Sequence, residues 1–357
     1  MPQSLNFLYF MKGVFMTSDI SSLLHEMQSY GLRVNSNRLV HGKIVRCPTN
    51  NKPHRKNGFV LVFFNPTFTY ALYGDYQQGG EIIKWSSKHR LSSAEKQQVQ
   101  EHIAEYHQQR EREIQQNLRN IRSIYSKFQL LSSGQSDTVE ADCTEQSISI
   151  RAEQSAQYCD LQHAYLHKKS IADIVQHKLA YPIRIDNYGN LVIPMLSVNA
   201  ELMGYQTIAR DNSKRFAKGS LVKGSFYPIM TSTIVDIGSC SSIFIGEGFA
   251  TMASCYLSMC EHGQDHVGNT HARNAYIVAY GVHMIEPVLL ELAKTFLAKN
   301  PAINIILVAD NDAVGADNSG KADTCNIGVD ICQAIKSRYQ NKYKISVFIP
   351  QLVGGVA

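Results

Sequence analysis

The chain has 357 residues, 44% of them apolar, and a formal charge of +5, which is ordinary for a globular protein with room for two or three domains. Its eight cysteines, Cys47, Cys143, Cys159, Cys240, Cys255, Cys260, Cys325 and Cys332, form no Cys-x-x-Cys pair and no Cys/His spacing of the zinc-ribbon kind, so a reduced cytoplasmic protein is expected. The apolar stretch at 5–16 is short, contains Lys12 and lacks a basic leader, so it supports neither a signal peptide nor a membrane span; Met11 and Met16 are alternative starts.

Within residues 17–90, Ile20, Leu23, Leu24 and Met27 recur at helical spacing, and strand-like runs follow at 59–64 and 69–73. This predicts a small α+β domain. Between Glu26 and Asp75 lie seven Lys or Arg residues and no Asp or Glu, a pattern that suits a polyanionic partner as well as it suits a plain solvated face. For Tyr73, Tyr76 and Trp85, core packing is the expected role over base stacking. From 92 to 129 the chain is rich in Glu, Gln and Arg, with Ile114, Leu118, Ile121, Tyr125 and Phe128 spaced by three or four, which predicts one long amphipathic helix acting as a connector. Residues 132–155 are rich in Ser, Gln, Thr and acid with few large apolar side chains, the composition of a flexible linker, and a domain boundary is placed there.

Beyond it, apolar runs at 191–194 and 203–208 flank the turn-former Asn199 and predict a hairpin. Arg210, Lys214, Arg215, Lys218 and Lys223 set five positive charges against Asp211 alone in fourteen residues, in a loop loosened by Gly219 and Gly224. Phosphates of a nucleic-acid strand or an incoming nucleotide suit such a segment, with a solvated loop as the competing reading. Lys168 and Lys169, after Tyr165, extend the same basic groove. From 242 onward strand and helix signals alternate (243–245, 250–261, 276–279, 287–299, 305–309, 328–339, 345–349), which predicts a mainly parallel α/β sheet flanked by helices.

Two of those strands end in acid. Ser-Ile-Phe-Ile-Gly-Glu-Gly at 242–248 and Ile-Ile-Leu-Val-Ala-Asp-Asn-Asp at 305–312 are apolar runs terminated by carboxylates, and ligands of open α/β sheets bind at the carboxyl ends of strands. Glu247, Asp310 and Asp312 converge there on this reading, and in extended chain Asp310 and Asp312 face the same way. Clustered carboxylates suit a hard cation such as Mg²⁺. The competing role for Glu247 is to stabilise the N-terminus of the next helix, and for Asp310 and Asp312 to make a turn.

This Glu-Gly and Asp-x-Asp pair resembles the signature of the Toprim domain, the metal-binding core of bacterial primases, topoisomerases and related nucleases. The resemblance extends outward: Tyr165-Leu166-His167-Lys168-Lys169, Leu191-Val192-Ile193-Pro194-Met195, Gly204-Tyr205-Gln206-Thr207-Ile208 and Lys214-Arg215-Phe216 are similar to the segment before Toprim in plasmid and phage primases. Gly42-Lys43-Ile44-Val45-Arg46, Tyr73-Gly74-Asp75-Tyr76 and the stretch 80–85 are similar to the N-terminal region of conjugative-plasmid primases. The boundaries drawn are a small basic N-terminal α+β domain at 17–90, a connecting helix at 91–130, a flexible linker at 131–156, a basic α+β primase subdomain at 157–240 and a Toprim domain at 241–357.

The resemblance implies a cytoplasmic DNA primase of the conjugative-plasmid or mobile-element type, with no membrane association. It would bind single-stranded DNA and join ribonucleoside triphosphates into a short primer, with Mg²⁺ or Mn²⁺ at Glu247, Asp310 and Asp312 and a replicative or plasmid helicase as partner. Glu247 would be a metal ligand or assist proton transfer from the primer 3′-hydroxyl. Asp317, Asn318 and Gly320 match a family stretch in which a turn or cap is the expected role of Asp317. The rivals are a Toprim nuclease, against which the lack of a Gly-x-x-x-x-Gly-Lys-Ser/Thr loop argues, and a non-catalytic single-stranded-DNA-binding protein, against which the intact carboxylates argue. Relatives continue past the last strand into a Gly-x-Asp-x-Asn-Asp segment where this sequence has Gly354-Gly355-Val356-Ala357, so a C-terminally truncated chain is expected.

Overall fold

Helix α1 (Thr17–Ser29) begins the part of the chain that the computed structural model describes, which comprises residues 17–76, 81–131, 163–261, 274–310 and 326–350. The chain divides into two units, Met1–Glu113 and Ile114–Ala357. In the first, β1 (Ile44–Cys47), β2 (Gly58–Phe64), β3 (Thr69–Asp75) and β4 (Ile83–Ser86) form an antiparallel meander in that order. Alternation splits its side chains between two faces. Cys47, Val60, Val62, Ala71 and Tyr73 pack with Leu23 and Met27 of α1, and Trp85 lies partly buried against the same cluster. Leu61, Phe63 and Tyr70 pack with Val99, Ile103 and Tyr106 of α2 (Ser93–Tyr125).

The first turn of α2 is closed by a capping box: the Ser92 amide donates to Glu95 Oε2 at 2.9 Å and the Glu95 amide donates to Ser92 Oγ at 3.3 Å. The helix stops at Tyr125, short of the predicted end at 129. Phe128 lies in the turn beyond it, its ring edge-on to Tyr205 at 5.3 Å, and β5 (Gln129–Leu130) follows.

In the second unit β5 opens a five-stranded antiparallel sheet, order β5-β6-β7-β8-β9. After α3 (Ala164–Lys168) come β6 (Arg184–Ile185), β7 (Leu191–Leu196), β8 (Leu202–Ile208) and β9 (Lys214–Phe216). The β7–β8 hairpin forms as expected, although the left-handed residue in its turn is Ala200 (φ 62°) rather than Asn199. The segment predicted as a basic loop is in part a strand: β9 pairs with β8 over Ile208–Lys214, Thr207–Arg215 and Gln206–Phe216. The Leu131 amide donates to the Ile183 carbonyl at 3.0 Å and its side chain is buried, so residues 129–131 and the chain from 163 onward belong to one sheet and one core. Residues 132–162, which hold most of the expected linker, lie outside the described residues.

The third sheet has the order β10-β12-β11-β13-β14. β10 (Tyr227–Ile229) is an antiparallel edge strand that sequence patterning misses. β11 (Ser242–Gly246), β12 (Asn274–Val278), β13 (Asn304–Val308) and β14 (Lys344–Phe348) are mutually parallel. Their connectors are α4 (Phe249–Glu261), α5 (Ile285–Leu292) and α6 (Ile327–Tyr339). Phe249, Met252 and Tyr256 of α4 cover the Tyr276/Val278/Val308 face, while Val288 and Leu292 of α5 and Cys332 and Ile335 of α6 cover the Ile243/Ile245/Leu307 face. The two sheets of this unit are joined by Leu196 and Phe226, each of which donates its amide to the other's carbonyl. Among the described residues no helix is long and apolar enough to cross a membrane.

Burial leaves a pH signature. The ring of His163 caps α3, with Nδ1 accepting from the Tyr165 amide at 3.3 Å and Nε2 donating to the Gly189 carbonyl at 3.1 Å, an arrangement only the neutral ring can make. Burial first, and Arg210 after it, lower its pKa below 6.5 against the opposing pull of the Gly189 bond and Asp186; burial also lowers His41 and His177. A histidine with a depressed folded-state pKa adds stability that is fully present above its unfolded value and lost as pH falls through the folded value. The thermal midpoint is therefore expected to drop from about pH 6.5 downward. His163→Asn, which keeps a capping oxygen but cannot titrate, should flatten that drop. Equal midpoints of the wild type at pH 7.5 and 5.5 would contradict this.

Candidate active site

The end of β11 lies beside the end of β13, with Gly246 level with Val308, and the chain leaves these neighbours toward opposite edges and faces of the sheet. Such a reversal opens a crevice at the carboxyl ends of the two strands. Glu247 and Gly248 form the turn into α4, and Asp310 lies two residues past β13. Gly246 lets α4 lie close on the strand: a Cβ there would sit 2.4 Å from Met252 Sδ, so a larger residue would push the Met252 side chain aside.

Asp310 is held from two sides. Its Oδ1 accepts a hydrogen bond from Thr251 Oγ1 at 2.8 Å, in the first turn of α4. Its backbone is tight against Gly328 of α6, where a Cβ would meet the Asp310 carbonyl oxygen at 2.9 Å. The Glu247 carbonyl accepts from the Tyr280 amide at 2.9 Å. Tyr280 is a buried residue with a left-handed backbone (φ 68°), a strained state for a large side chain that its contacts enforce. Its hydroxyl donates to the Pro194 carbonyl of β7 and its ring meets Phe216 of β9 edge-on at 6.1 Å. Tyr280 thus ties the acidic turn to the antiparallel sheet.

That tie brings a cation toward Asp310. Lys214 and Phe216 share one face of β9, and Arg215 takes the other. A Cβ built on Gly248 would lie 3.8 Å from Asp310 Oδ2, 3.8 Å from Thr251 Oγ1 and 3.9 Å from Lys214 Nζ, so carboxylate, hydroxyl and ammonium surround one open point above a glycine. Cys332 and Cys255 report the same electrostatics: burial, reinforced by Asp310, pushes both thiols up to about 11, and Glu247 adds to the effect on Cys332. Both therefore stay protonated near neutrality and are poor nucleophiles. The buried hydroxyl of Tyr165 on α3 feels Asp310 too and is pushed, mainly by burial, up to about 12.

The other basic candidates are dispersed. Lys168 and Lys169 are exposed at the C-terminal end of α3. Arg210 packs by the β6–β7 turn, its guanidinium within 3.4 Å of a Cβ placed on Gly189. Lys218 is exposed beside Gly219, which abuts Asn117 of α2, and Lys223 is exposed beside Gly224, which abuts Glu291 of the α5 segment. Asp312, Asp317, Asn318 and Gly320 lie outside the described residues. Among the described residues no group of three His, Cys, Asp or Glu is placed to hold a metal ion. Thr251 and Tyr280 leave little trace in the sequence: a Thr four residues after Glu247, in the first helical turn, and a Tyr-Gly after an apolar strand.

No protein-family model matches the chain. Among solved structures, the primase fragment of the bacteriophage T7 primase-helicase protein is similar at TM-score 0.32 and 13% identity, over 49% of this chain and 60% of that one. The DnaG primase catalytic domain bound to single-stranded DNA is similar at TM-score 0.38 and 10% identity, over 67% and 75%. The DnaG catalytic core is similar at TM-score 0.28 and 10% identity, over 45% and 44%. The chain thus spans 60% of the T7 fragment and less than half of the DnaG core.

Proposed function

We propose that the second unit is the catalytic part of a DNA primase of the plasmid or mobile-element type, with a Toprim-like sheet that joins ribonucleotides into short primers on single-stranded DNA. The observation that carries the proposal is the meeting of Asp310 Oδ2, Thr251 Oγ1 and Lys214 Nζ around Gly248 at the crevice between β11 and β13. In the reaction the primer 3′-hydroxyl oxygen attacks the α-phosphorus of the incoming ribonucleotide, the bond to the β-phosphate oxygen breaks, and the hydroxyl proton is lost as pyrophosphate leaves.

The donor set fits a hard divalent cation: carboxylate oxygens of Glu247 and Asp310, with Asp312 by resemblance, beside a glycine that leaves room for phosphate. Bound Mg²⁺ or Mn²⁺ supplies charge neutralisation on the triphosphate and acidifies the attacking hydroxyl. The chain's own groups do the rest. Thr251 fixes the Asp310 carboxylate in one orientation, Tyr280 fixes the backbone at Glu247, and Lys214 offers its ammonium to phosphate oxygens. By the resemblance, single-stranded DNA, ribonucleoside triphosphates and a helicase are the partners, in the cytoplasm.

Synthesis of labelled ribonucleotide primers on single-stranded DNA tests the reading, and nicking of DNA without synthesis would replace it with a nuclease. Lys214→Ala is expected to lower synthesis by about a hundredfold, the loss typical of one electrostatic donor to developing charge. Arg215→Ala, on the opposite face of β9, should leave synthesis within a few-fold and flatten the salt dependence of strand binding by about 0.7. Equal losses in the two variants would contradict the face assignment.

A further inference from the structure

The first unit has a feature the crevice does not use. Arg46 of β1, Phe59 of β2 and Gly74 of β3 lie level across the sheet, and Tyr76 follows Gly74 by two residues. On this face Leu61, Phe63 and Tyr70 pack with α2, in a cluster that does not include Phe59. The phenyl ring of Phe59 fills the space over Gly74, where a Cβ would come within 3.0 Å of it. Tyr76 stacks obliquely on Phe59 at 4.8 Å, and the Arg46 guanidinium lies 4.2 Å over the Tyr76 ring, steadied by its Nε donating to the Lys56 carbonyl at 3.1 Å. Phe59 is buried by this ladder, but Tyr76 is 50% exposed and Arg46 is exposed.

The surroundings are cationic. The β1–β2 connection carries Lys52, Arg55 and Lys56, all exposed, and the Tyr76 amide donates to the Asn57 carbonyl at 3.2 Å, which holds that connection beside the ring. The carboxylates nearest in sequence are Asp75, buried on the opposite face, and Glu81, exposed before β4. A half-exposed aromatic with a guanidinium stacked on it, set among lysines and arginines, is chemistry that takes unpaired bases by stacking on the ring edge or the guanidinium plane and phosphates on its rim. Tyr73, on the other face of the sheet, is buried, and Trp85 is partly buried against the same cluster.

We propose that the Arg46–Phe59–Tyr76 ladder with Lys52, Arg55 and Lys56 is a platform for single-stranded nucleic acid, using no residue of the acidic crevice. The test uses the full chain without metal or nucleotides. A fluorescent oligothymidylate is titrated, and an oligonucleotide carrying 5-iododeoxyuridine is photo-crosslinked to locate the bound base. Tyr76→Ser should weaken binding on the order of tenfold, while Tyr76→Phe keeps it, because stacking needs the ring and not the hydroxyl. The Lys52→Ala, Arg55→Ala, Lys56→Ala triple variant should lower the log–log salt slope by about 2, at about 0.7 per phosphate contact. Crosslinks should map to Phe59 or Tyr76 and persist in Asp310→Ala and Lys214→Ala, which separates this site from the proposed catalytic one. Crosslinks confined to the second unit, unchanged affinity in Tyr76→Ser, or equal competition by blunt duplex or polyglutamate would overturn the proposal.

Discussion

Asp310→Ala and Glu247→Gln are each expected to abolish primer synthesis while circular dichroism and the thermal midpoint stay close to wild type. Asp310 is only partly buried, and among the described residues its carboxylate is held by one side-chain hydrogen bond, from Thr251 at 2.8 Å, so its removal frees a hydroxyl at the crevice and leaves the core intact. In synthesis the loss is large, because a carboxylate that positions a divalent cation stabilises transition-state charge by several kcal/mol, a factor of about a thousand or more. Thr251→Val probes the same atom more gently. It keeps the shape, removes the donor, and should cost about tenfold by letting the Asp310 carboxylate rotate. Wild-type synthesis by Asp310→Ala would remove the crevice from the reaction. Loss of fold in the same variant would reduce Asp310 to a structural residue.

Much of the mainly parallel sheet is legible because buried parallel strands are written as apolar runs with no competing pattern. β11, β12, β13 and β14 fall within a residue or two of where those runs lie, and the helices between them follow from their spacing. The short edge strands were not legible. All three residues of β9 are exposed, and β10 is Tyr-Pro-Ile, with a proline that reads as a break. Such strands exist because a long neighbour offers hydrogen-bond partners, which is information held by β8 and β12. Misreading β9 as a loop merged five cations into one patch, whereas the pleat sends Lys214 to the acids and Arg215 away from them. Thr251 and Tyr280 became visible only once the β11–β13 register and the β12 turn were fixed, since neither belongs to a pattern of its own. In the first unit the cationic stretch was plain in the sequence. That Tyr76 is exposed while Tyr73 is inside follows from the face Tyr73 takes, which packs with Leu23 and Met27 of α1.

A chain beginning at Ile114 is expected to fold, and one beginning at Gln157 is not, although composition places the boundary between them. The difference lies in what residues 114–131 give to the second unit. Ile121 and Tyr125 are buried among Val192, Leu196, Leu202 and Tyr205, and β5 pairs with β6 along the sheet edge. Arg184 of β6 is 2% exposed; its Nη1 donates to the Phe128 carbonyl at 2.7 Å, and its guanidinium lies 4.7 Å over the Tyr125 ring. Burial pushes the Tyr125 phenol up to about 12, so the ring stays neutral beneath the cation. Deleting 114–156 removes a charge-assisted hydrogen bond and a cation–π contact, about 2–5 kcal/mol together, and empties two large core sites at about 2–5 kcal/mol each. The sum, roughly 6–15 kcal/mol, matches the entire stability of an ordinary domain. Far-UV circular dichroism and a cooperative thermal transition report the outcome, and a well-folded Gln157 fragment would sink the argument. A protease site inserted near residue 145 and cleaved after folding separates connection from packing: the two pieces should stay together through a sizing column, because Arg184, Tyr125 and the β5–β6 pairing hold them without the intervening peptide.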